Sequence, residues 1–137
     1  MKQVICAGLA ASLAGGCGDA LMKAYGLSPV VQAPLTGEQT AAIEAGVRGA
    51  IKDPASAQFG GFIGGRNEKG AMIVCGYVNA RNSFGGYTGP QAFSGVLSDK
   101  GFAVSTITGS DASGFNVTEV GCRNQNLPLD GVAKMRT

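Results

Sequence analysis

Histidine and tryptophan are both missing from this sequence of 137 residues. Without histidine, no Ser-His-Asp or Cys-His arrangement can form, and the commonest general base of enzyme active sites is absent. The sequence also contains no G-x-S-x-G nucleophile elbow, no G-x-x-x-x-G-K phosphate loop and no G-x-G-x-x-G dinucleotide fingerprint. A zinc site would need cysteine and carboxylate ligands alone. We therefore predict a protein that is not an enzyme and that binds no metal and no small-molecule cofactor.

Charged residues are also few, and they form no cluster of one sign. Eleven basic and nine acidic side chains are scattered along the chain and leave a net charge of +2. Because binding to a phosphate backbone requires a basic run or stripe, we predict no nucleic-acid partner. The length fits one domain. The 23 glycines follow no collagen-like period, so they indicate a fold rich in turns.

The N-terminal segment has the pattern of an export signal. Lys2 precedes an apolar stretch over residues 4–14, and small residues then lead to Cys17. The stretch is about 11 residues long, whereas a membrane-spanning helix needs about 20. The alternative is an N-terminal core helix, which the glycines around it would weaken. We expect residues 1–16 to be a signal peptide and the protein to be exported to the periplasm.

Cys17 is the candidate lipidation site. The run from Leu13 to Cys17 resembles a bacterial lipobox, in which the cysteine becomes the lipidated first residue of the mature chain. The match is imperfect, because Ala14 stands three places before the cysteine, where a large aliphatic residue is usual. The alternative is cleavage by the ordinary signal peptidase after Ala14 or Ala20. Lipidation would give the protein a membrane anchor.

The cysteine count agrees with lipidation. Cys6 leaves with the signal, and if Cys17 carries the lipid, Cys75 and Cys122 remain as one pair in an oxidising compartment. A disulfide between them would close a loop of about 47 residues and stabilise the fold by about 4 kcal/mol through lost chain entropy. Two buried free thiols are the alternative.

The chain divides into a signal peptide, a tether, a single α+β domain and a flexible tail. The domain is expected to open with a helix, because Thr36 and Gln39 have the spacing of a capping box. Ile43 and Val47 then fall on one face at helical spacing, and Pro54 ends the helix. The four segments are residues 1–16, 17–35, 36–122 and 123–137.

After the helix, the apolar residues change from helical spacing to the alternation of strands. Residues 71–79 are apolar on both faces, which indicates a central strand. A last strand ending at Cys122 would bring this cysteine to Cys75 in the central strand. We predict an α+β fold with one N-terminal helix packed on a small antiparallel sheet of about four to five strands, and one disulfide. The candidate strands are residues 59–63, 71–79, 91–97, 102–108 and 115–122.

Two sequence blocks carry a resemblance. The first is D-P-A-S-A-Q-F over residues 53–59, and the second is V-C-G-Y-V-N over residues 74–79, continuing through N-S-F-G-G-Y-T-G over residues 82–89. They resemble a loose group of small exported bacterial proteins, many described as lipoproteins or as phage-associated proteins. The resemblance covers about a third of the chain. It implies that the protein is exported and shares the fold of that group, and it assigns no catalytic residue.

Within the loop over residues 80–90, residues 82–89 are the candidate contact site. Asn82, Phe84 and Tyr87 lie among glycines there, and the aromatic side chains form either a packed cap or an exposed contact surface. We interpret the chain as a cell-envelope protein with a non-enzymatic binding or structural role, which presents this loop to another envelope macromolecule. The alternative is a small inhibitor of an envelope hydrolase, a lysozyme or a protease. An enzyme would instead need a pocket with converging polar groups.

Overall fold

The computed structural model describes residues 29–136. They form a five-stranded antiparallel sheet, in which each strand pairs with the next along the chain, and two helices. The fold is therefore α+β, as predicted, although it has a second helix that we did not predict. The elements are β1 (Val31–Ala33), α1 (Gly37–Ala50), a 3₁₀ turn (Pro54–Ser56), β2 (Gln58–Arg66), β3 (Met72–Asn79), β4 (Gln91–Ser98), β5 (Gly101–Thr108) and α2 (Val117–Asn124).

Helix α1 begins at the predicted capping box. The Thr36 hydroxyl accepts a hydrogen bond from the backbone N–H of Gln39 at 3.1 Å, and the Gln39 side chain accepts one from the Thr36 N–H at 2.9 Å. Ile43 and Val47 are fully buried, so this face of the helix packs on the sheet. The helix ends at Ala50, ahead of the proline that opens the 3₁₀ turn.

Strand β3 is the central strand, as its sequence predicted. Met72, Val74 and Val78 point to one face and belong to the core cluster under α1. Cys75 and Tyr77 point to the other face and belong to a second core cluster. Because side chains alternate across a strand, a strand that is covered on both sides must be apolar throughout.

Four phenylalanines form a continuous row in the core beneath α1. Successive rings meet edge to face, with centroids 5.5 to 5.9 Å apart. This geometry places the positive edge of one ring against the negative face of the next and adds to the apolar burial. The row crosses the sheet from β2 to β5 and consists of Phe59, Phe62, Phe93 and Phe102.

The last strand predicted over residues 115–122 is wrong, because this segment contains helix α2. The side chain of Asn116 accepts hydrogen bonds from the N–H groups of Thr118 and Glu119 and so caps the helix. Thr118 and Cys122, four residues apart, are buried on one face. Two apolar residues at the start of the predicted strand, Phe115 and Val117, are instead more than half exposed.

The predicted disulfide joins Cys75 in β3 to Cys122 in α2. Both residues are buried, with 0% and 1% of their surface exposed. The bond therefore fastens α2 to the centre of the sheet, rather than joining two strands as predicted. Leu127 and Leu129, which follow α2, are buried in the same cluster.

The flexible tail predicted over residues 123–137 is also wrong for the part that the structure describes. Residues 125–136, which we call the C-terminal strap, cross the sheet and reach the outer edge of β2. There the N–H of Gly61 donates to the carbonyl of Ala133 at 2.7 Å, and the N–H of Arg136 donates to the carbonyl of Phe59 at 3.0 Å. β1 pairs only with residues 64–66. The strap therefore satisfies backbone groups of β2 that would otherwise lie unpaired.

The tether predicted over residues 17–35 extends too far. Its last part contains β1, and Val30 is 3% exposed and packs in the second core cluster. The pairing of β1 stops before Pro34, which has no N–H to donate to β2. The domain predicted over residues 36–122 thus spans the described residues 29–136, and residues 17–28 lie outside them.

Candidate functional site

The predicted contact loop, residues 82–89, is held in one conformation by the side chain of Asn82. Its amide oxygen accepts hydrogen bonds from the backbone N–H groups of Phe84 at 2.9 Å and Gly86 at 3.2 Å. The backbone of Asn82 also bonds to Gly86 and Gly85. Gly85 has φ +82°, a conformation that side chains disfavour. The tip of the loop is therefore built by its own sequence.

Ser56 fastens the contact loop to the body of the domain. Its hydroxyl donates to the carbonyl of Asp53 at 2.7 Å and accepts from the N–H of Arg81 at 2.9 Å. The Tyr87 hydroxyl donates to the carbonyl of Ser56 at 3.1 Å. The two sequence blocks that carry the family resemblance are thus in contact, since Asp53 and Ser56 belong to the first and Tyr87 to the second.

The two aromatic side chains of the contact loop have different environments. Tyr87 is 43% exposed and is tied to Ser56 through its hydroxyl, so it is part of the packing of the loop. Phe84 is 96% exposed. Of the two alternatives from the sequence, Tyr87 fits the packed cap and Phe84 fits the contact surface.

Two cationic side chains flank Phe84. The Lys52 ammonium donates to the hydroxyl of Ser83 at 2.9 Å, and the Arg81 guanidinium lies 5.5 Å from the centre of the Tyr87 ring. Neither cation forms an ion pair with a carboxylate of residues 29–136. An open depression of about 410 Å³ lies beside the loop. Its lining includes Lys52, Arg81 and Phe84 together with Ile51 and Ile107.

A second loop has the same construction as the contact loop, and we did not predict it. Here the carboxylate of Asp111 accepts from the N–H groups of Ser113 and Phe115, and Gly114 has φ +85°. Phe115 is 54% exposed, and Val117 just beyond it is 59% exposed. In both loops, an Asn or Asp lies three residues before a glycine. This spacing is the sequence signal that could have predicted the second loop.

Both loops lie at the same end of the sheet, which we call the aromatic end. β3 and β5 are both antiparallel to β4 and therefore run in the same direction, so the loops that follow them emerge together. The chain enters the domain at the other end, where Val31 pairs with Arg66. Of the five exposed large hydrophobic side chains in the described residues, four lie at the aromatic end: Phe84, Tyr87, Phe115 and Val117.

Local contacts explain the shifted pKa values of two titratable groups. Burial, together with a hydrogen bond of 2.8 Å to the carboxylate of Glu119, raises the pKa of Tyr77 well above its usual value. The Ser113 hydroxyl and neighbouring backbone N–H groups lower the pKa of Asp111. Within residues 29–136, no group of three His, Cys, Asp or Glu side chains is placed to hold a metal ion.

The candidate lipidation site, Cys17, lies outside the described residues, as does the predicted signal peptide. Within residues 29–136, neither helix has the length and apolar character needed to cross a membrane.

The fold and site define a small disulfide-linked α+β domain that presents two ordered loops with exposed aromatic side chains. No protein-family model, curated protein or solved structure matches the chain. The resemblance to small exported bacterial proteins therefore remains a prediction from the two sequence blocks.

Proposed function

We propose that this protein is a non-enzymatic cell-envelope protein that binds another envelope macromolecule through the contact loop. The observation that carries the proposal is the 96% exposure of Phe84 on a loop whose backbone is fixed by Asn82. Buried aromatic anchors dominate the energy of many protein interfaces. A loop that is already ordered loses little conformational entropy when it binds, so more of the contact energy remains as affinity.

Export and lipid anchoring through Cys17 form the second part of this proposal. They are supported by the charged start, short apolar stretch and lipobox-like run of the N-terminal segment. The disulfide between Cys75 and Cys122 agrees with an oxidising compartment such as the periplasm, because disulfides are rare in the cytosol. Intact mass spectrometry of the protein from its native envelope tests this part. A mature chain that starts at Cys17 with acyl mass is expected, and an intact Met1 would exclude export.

The contact loop lies at the end of the domain opposite the point where the chain enters it. Strands of eight residues separate the two ends by about 26 Å. The proposed binding surface is therefore distinct from β1, the strand that leads back towards the candidate anchor.

Photo-crosslinking in living cells tests the binding role of Phe84. A photoreactive amino acid is placed at position 84, and the matched control is placed at Val31, which is 77% exposed but lies outside the aromatic end. We expect a specific adduct from position 84 and none from position 31. Adducts from position 31 alone would contradict the proposal, as would the absence of any adduct.

Substitution of the two aromatic residues separates binding from packing. Phe84→Ala should change the free energy of unfolding by less than about 0.5 kcal/mol, because the exposed ring supports no core packing. The same substitution should abolish the adduct formed by a photoreactive residue at position 83. Tyr87→Ala should destabilise the domain by about 1 kcal/mol, since it removes the hydrogen bond to Ser56. Chemical denaturation measures both values.

A further inference from the structure

Two cations and no carboxylate lie at the contact loop. Residues 80–90 contain no Asp or Glu. Lys52 is held at the loop by its hydrogen bond to Ser83, and Arg81 is held by its position over Tyr87. Neither forms an ion pair with a carboxylate of the described residues. If an interface covered these charges, they would lose water, and this is unfavourable unless the partner provides anionic groups.

The shape of the loop restricts the partner further. With 96% of its surface exposed, Phe84 stands clear of the domain and forms a convex feature. Small ligands are bound in clefts that enclose most of their surface, whereas the depression of about 410 Å³ beside the loop is open. A concave surface of the partner would therefore have to enclose the Phe84 ring. An anionic membrane would also meet the cations, so vesicles of anionic phospholipid are included in the test.

We infer that the contact loop inserts into a partner protein's cleft that carries a pair of carboxylates, as the active site of a peptidoglycan glycosidase does. Glycosidases place two Asp or Glu side chains on either side of the bond they cleave, in an open cleft. Phe84 would fill the apolar part of such a cleft, while Lys52 and Arg81 would face the carboxylates. The protein would then act as an inhibitor of that enzyme. This inference rests on the proposed binding role of the contact loop.

Inhibition of a purified lysozyme tests the inference. The mature protein is added to lysozyme acting on isolated peptidoglycan, and turnover and binding are measured. We expect inhibition, and we expect Phe84→Ala to weaken it by about 30-fold or more, as the loss of one interface anchor does. Neutralising both cations with Lys52→Gln and Arg81→Gln should slow association by about 10-fold at low salt.

Two lysines at the opposite end provide the control for charge. Lys69 and Lys100 are exposed in the turns that join β2 to β3 and β4 to β5. The double variant Lys69→Gln and Lys100→Gln has the same net charge as the test variant, and we expect it to inhibit like the unchanged protein. Melting curves establish that each variant is folded.

Three results would overturn the inference. The first is that neither lysozyme nor the purified peptidoglycan glycosidases of the same cell are inhibited. The second is that removal of both cations leaves the association rate at low salt unchanged. The third is binding to vesicles of anionic phospholipid that requires Phe84, which would assign the surface to a membrane. If position 84 still crosslinks to another protein in cells, the inference fails while the proposed binding role stands.

Discussion

At the scale of single residues, three turns each take their shape from one polar side chain. Asn67, Asn82 and Asp111 each precede a glycine by three residues, and the side-chain oxygen of each accepts the N–H groups two and four residues ahead. The glycines have φ between +80° and +85°. A short acceptor side chain stabilises the turn, and glycine adopts the left-handed conformation without strain. These contacts fix the backbone of the two loops that carry the exposed phenylalanines Phe84 and Phe115.

Asp111 provides a pH test of this arrangement. The hydrogen bond from the Ser113 hydroxyl, followed by those from backbone N–H groups, lowers its pKa below the ordinary value of 3.8. The loop therefore favours the ionised carboxylate. Its stabilising effect is present above the ordinary pKa and is lost as the pH falls through the lowered value. An NMR titration of the carboxyl group should give a pKa below 3.8.

Two substitutions at position 111 distinguish the effect of the hydrogen bonds that shape the loop from the effect of the carboxylate charge. Asp111→Asn should keep the loop, because Asn82 forms the same pair of backbone hydrogen bonds with an amide oxygen. In the NMR spectrum of this variant, the backbone amide signals of Ser113 and Phe115 should remain dispersed at acid pH. Asp111→Ala should lose the order of the loop at every pH. If Asp111 titrated at or above its ordinary value, the hydrogen bonds to its carboxylate would be in doubt.

At the scale of secondary structure, the close contact between α1 and β5 depends on a glycine in the helix. A Cβ atom built at Gly46 would overlap the carbonyl oxygen of Phe102 and lie 2.8 Å from its Cβ. By contrast, a Cβ at Gly49 would meet no atom within 4 Å. The lack of a side chain is therefore needed at Gly46, where α1 approaches β5, but not at Gly49.

The two glycines make opposite predictions for replacement by alanine. Gly46→Ala should destabilise the domain by about 1 to 3 kcal/mol, because the helix must move away from β5. Gly49→Ala should stabilise it by about 0.5 to 1 kcal/mol, because alanine favours the helix and meets no obstacle. Thermal and chemical denaturation of both variants would measure this difference. Equal effects of the two substitutions would contradict the close approach at Gly46.

At the scale of the whole molecule, the sheet is covered on both faces by different parts of the chain. Helix α1 covers one face, and α2 with the C-terminal strap covers the other. The strap then reaches the outer edge of β2, where Arg136 forms an ion pair with Glu44 of α1. Residues close to both ends of the described chain are therefore part of one domain, and the disulfide links its second core to the central strand.

The contribution of the disulfide can be measured by reduction. The bond closes a separation of 47 residues, so its loss should lower the free energy of unfolding by about 4 kcal/mol. The midpoint of chemical denaturation should therefore fall when a reductant is present. The variant Cys75→Ala with Cys122→Ala should show no response to reductant. An unchanged midpoint for the reduced parent protein would show that the bond contributes little to stability.

The patterns that predicted the fold correctly are local ones. The capping box at Thr36, the apolar alternation of β3 and the hairpin of β4 and β5 are set by residues that are neighbours in the chain. The cysteine count indicated the disulfide, since only two cysteines would remain if the predicted signal peptide is removed and Cys17 is lipidated. The sequence showed two aromatic residues among the glycines of the contact loop, but it could not tell that Phe84 is exposed and that Tyr87 packs against the domain. Their difference depends on Ser56, which is 31 residues away from Tyr87.

By itself, the sequence determined the class of the fold, the start of α1, the central strand and the disulfide pair. The tertiary structure decided the rest. Residues 117–122 were predicted as part of a strand, but the cap at Asn116 and the burial of Cys122 against β3 place them in a helix. The C-terminal strap has no apolar period, yet hydrogen bonds to backbone groups at the edge of β2 hold it in place. The disulfide to β3 and the hydrogen bonds to β2 join residues far apart in the chain, and no local pattern records such contacts.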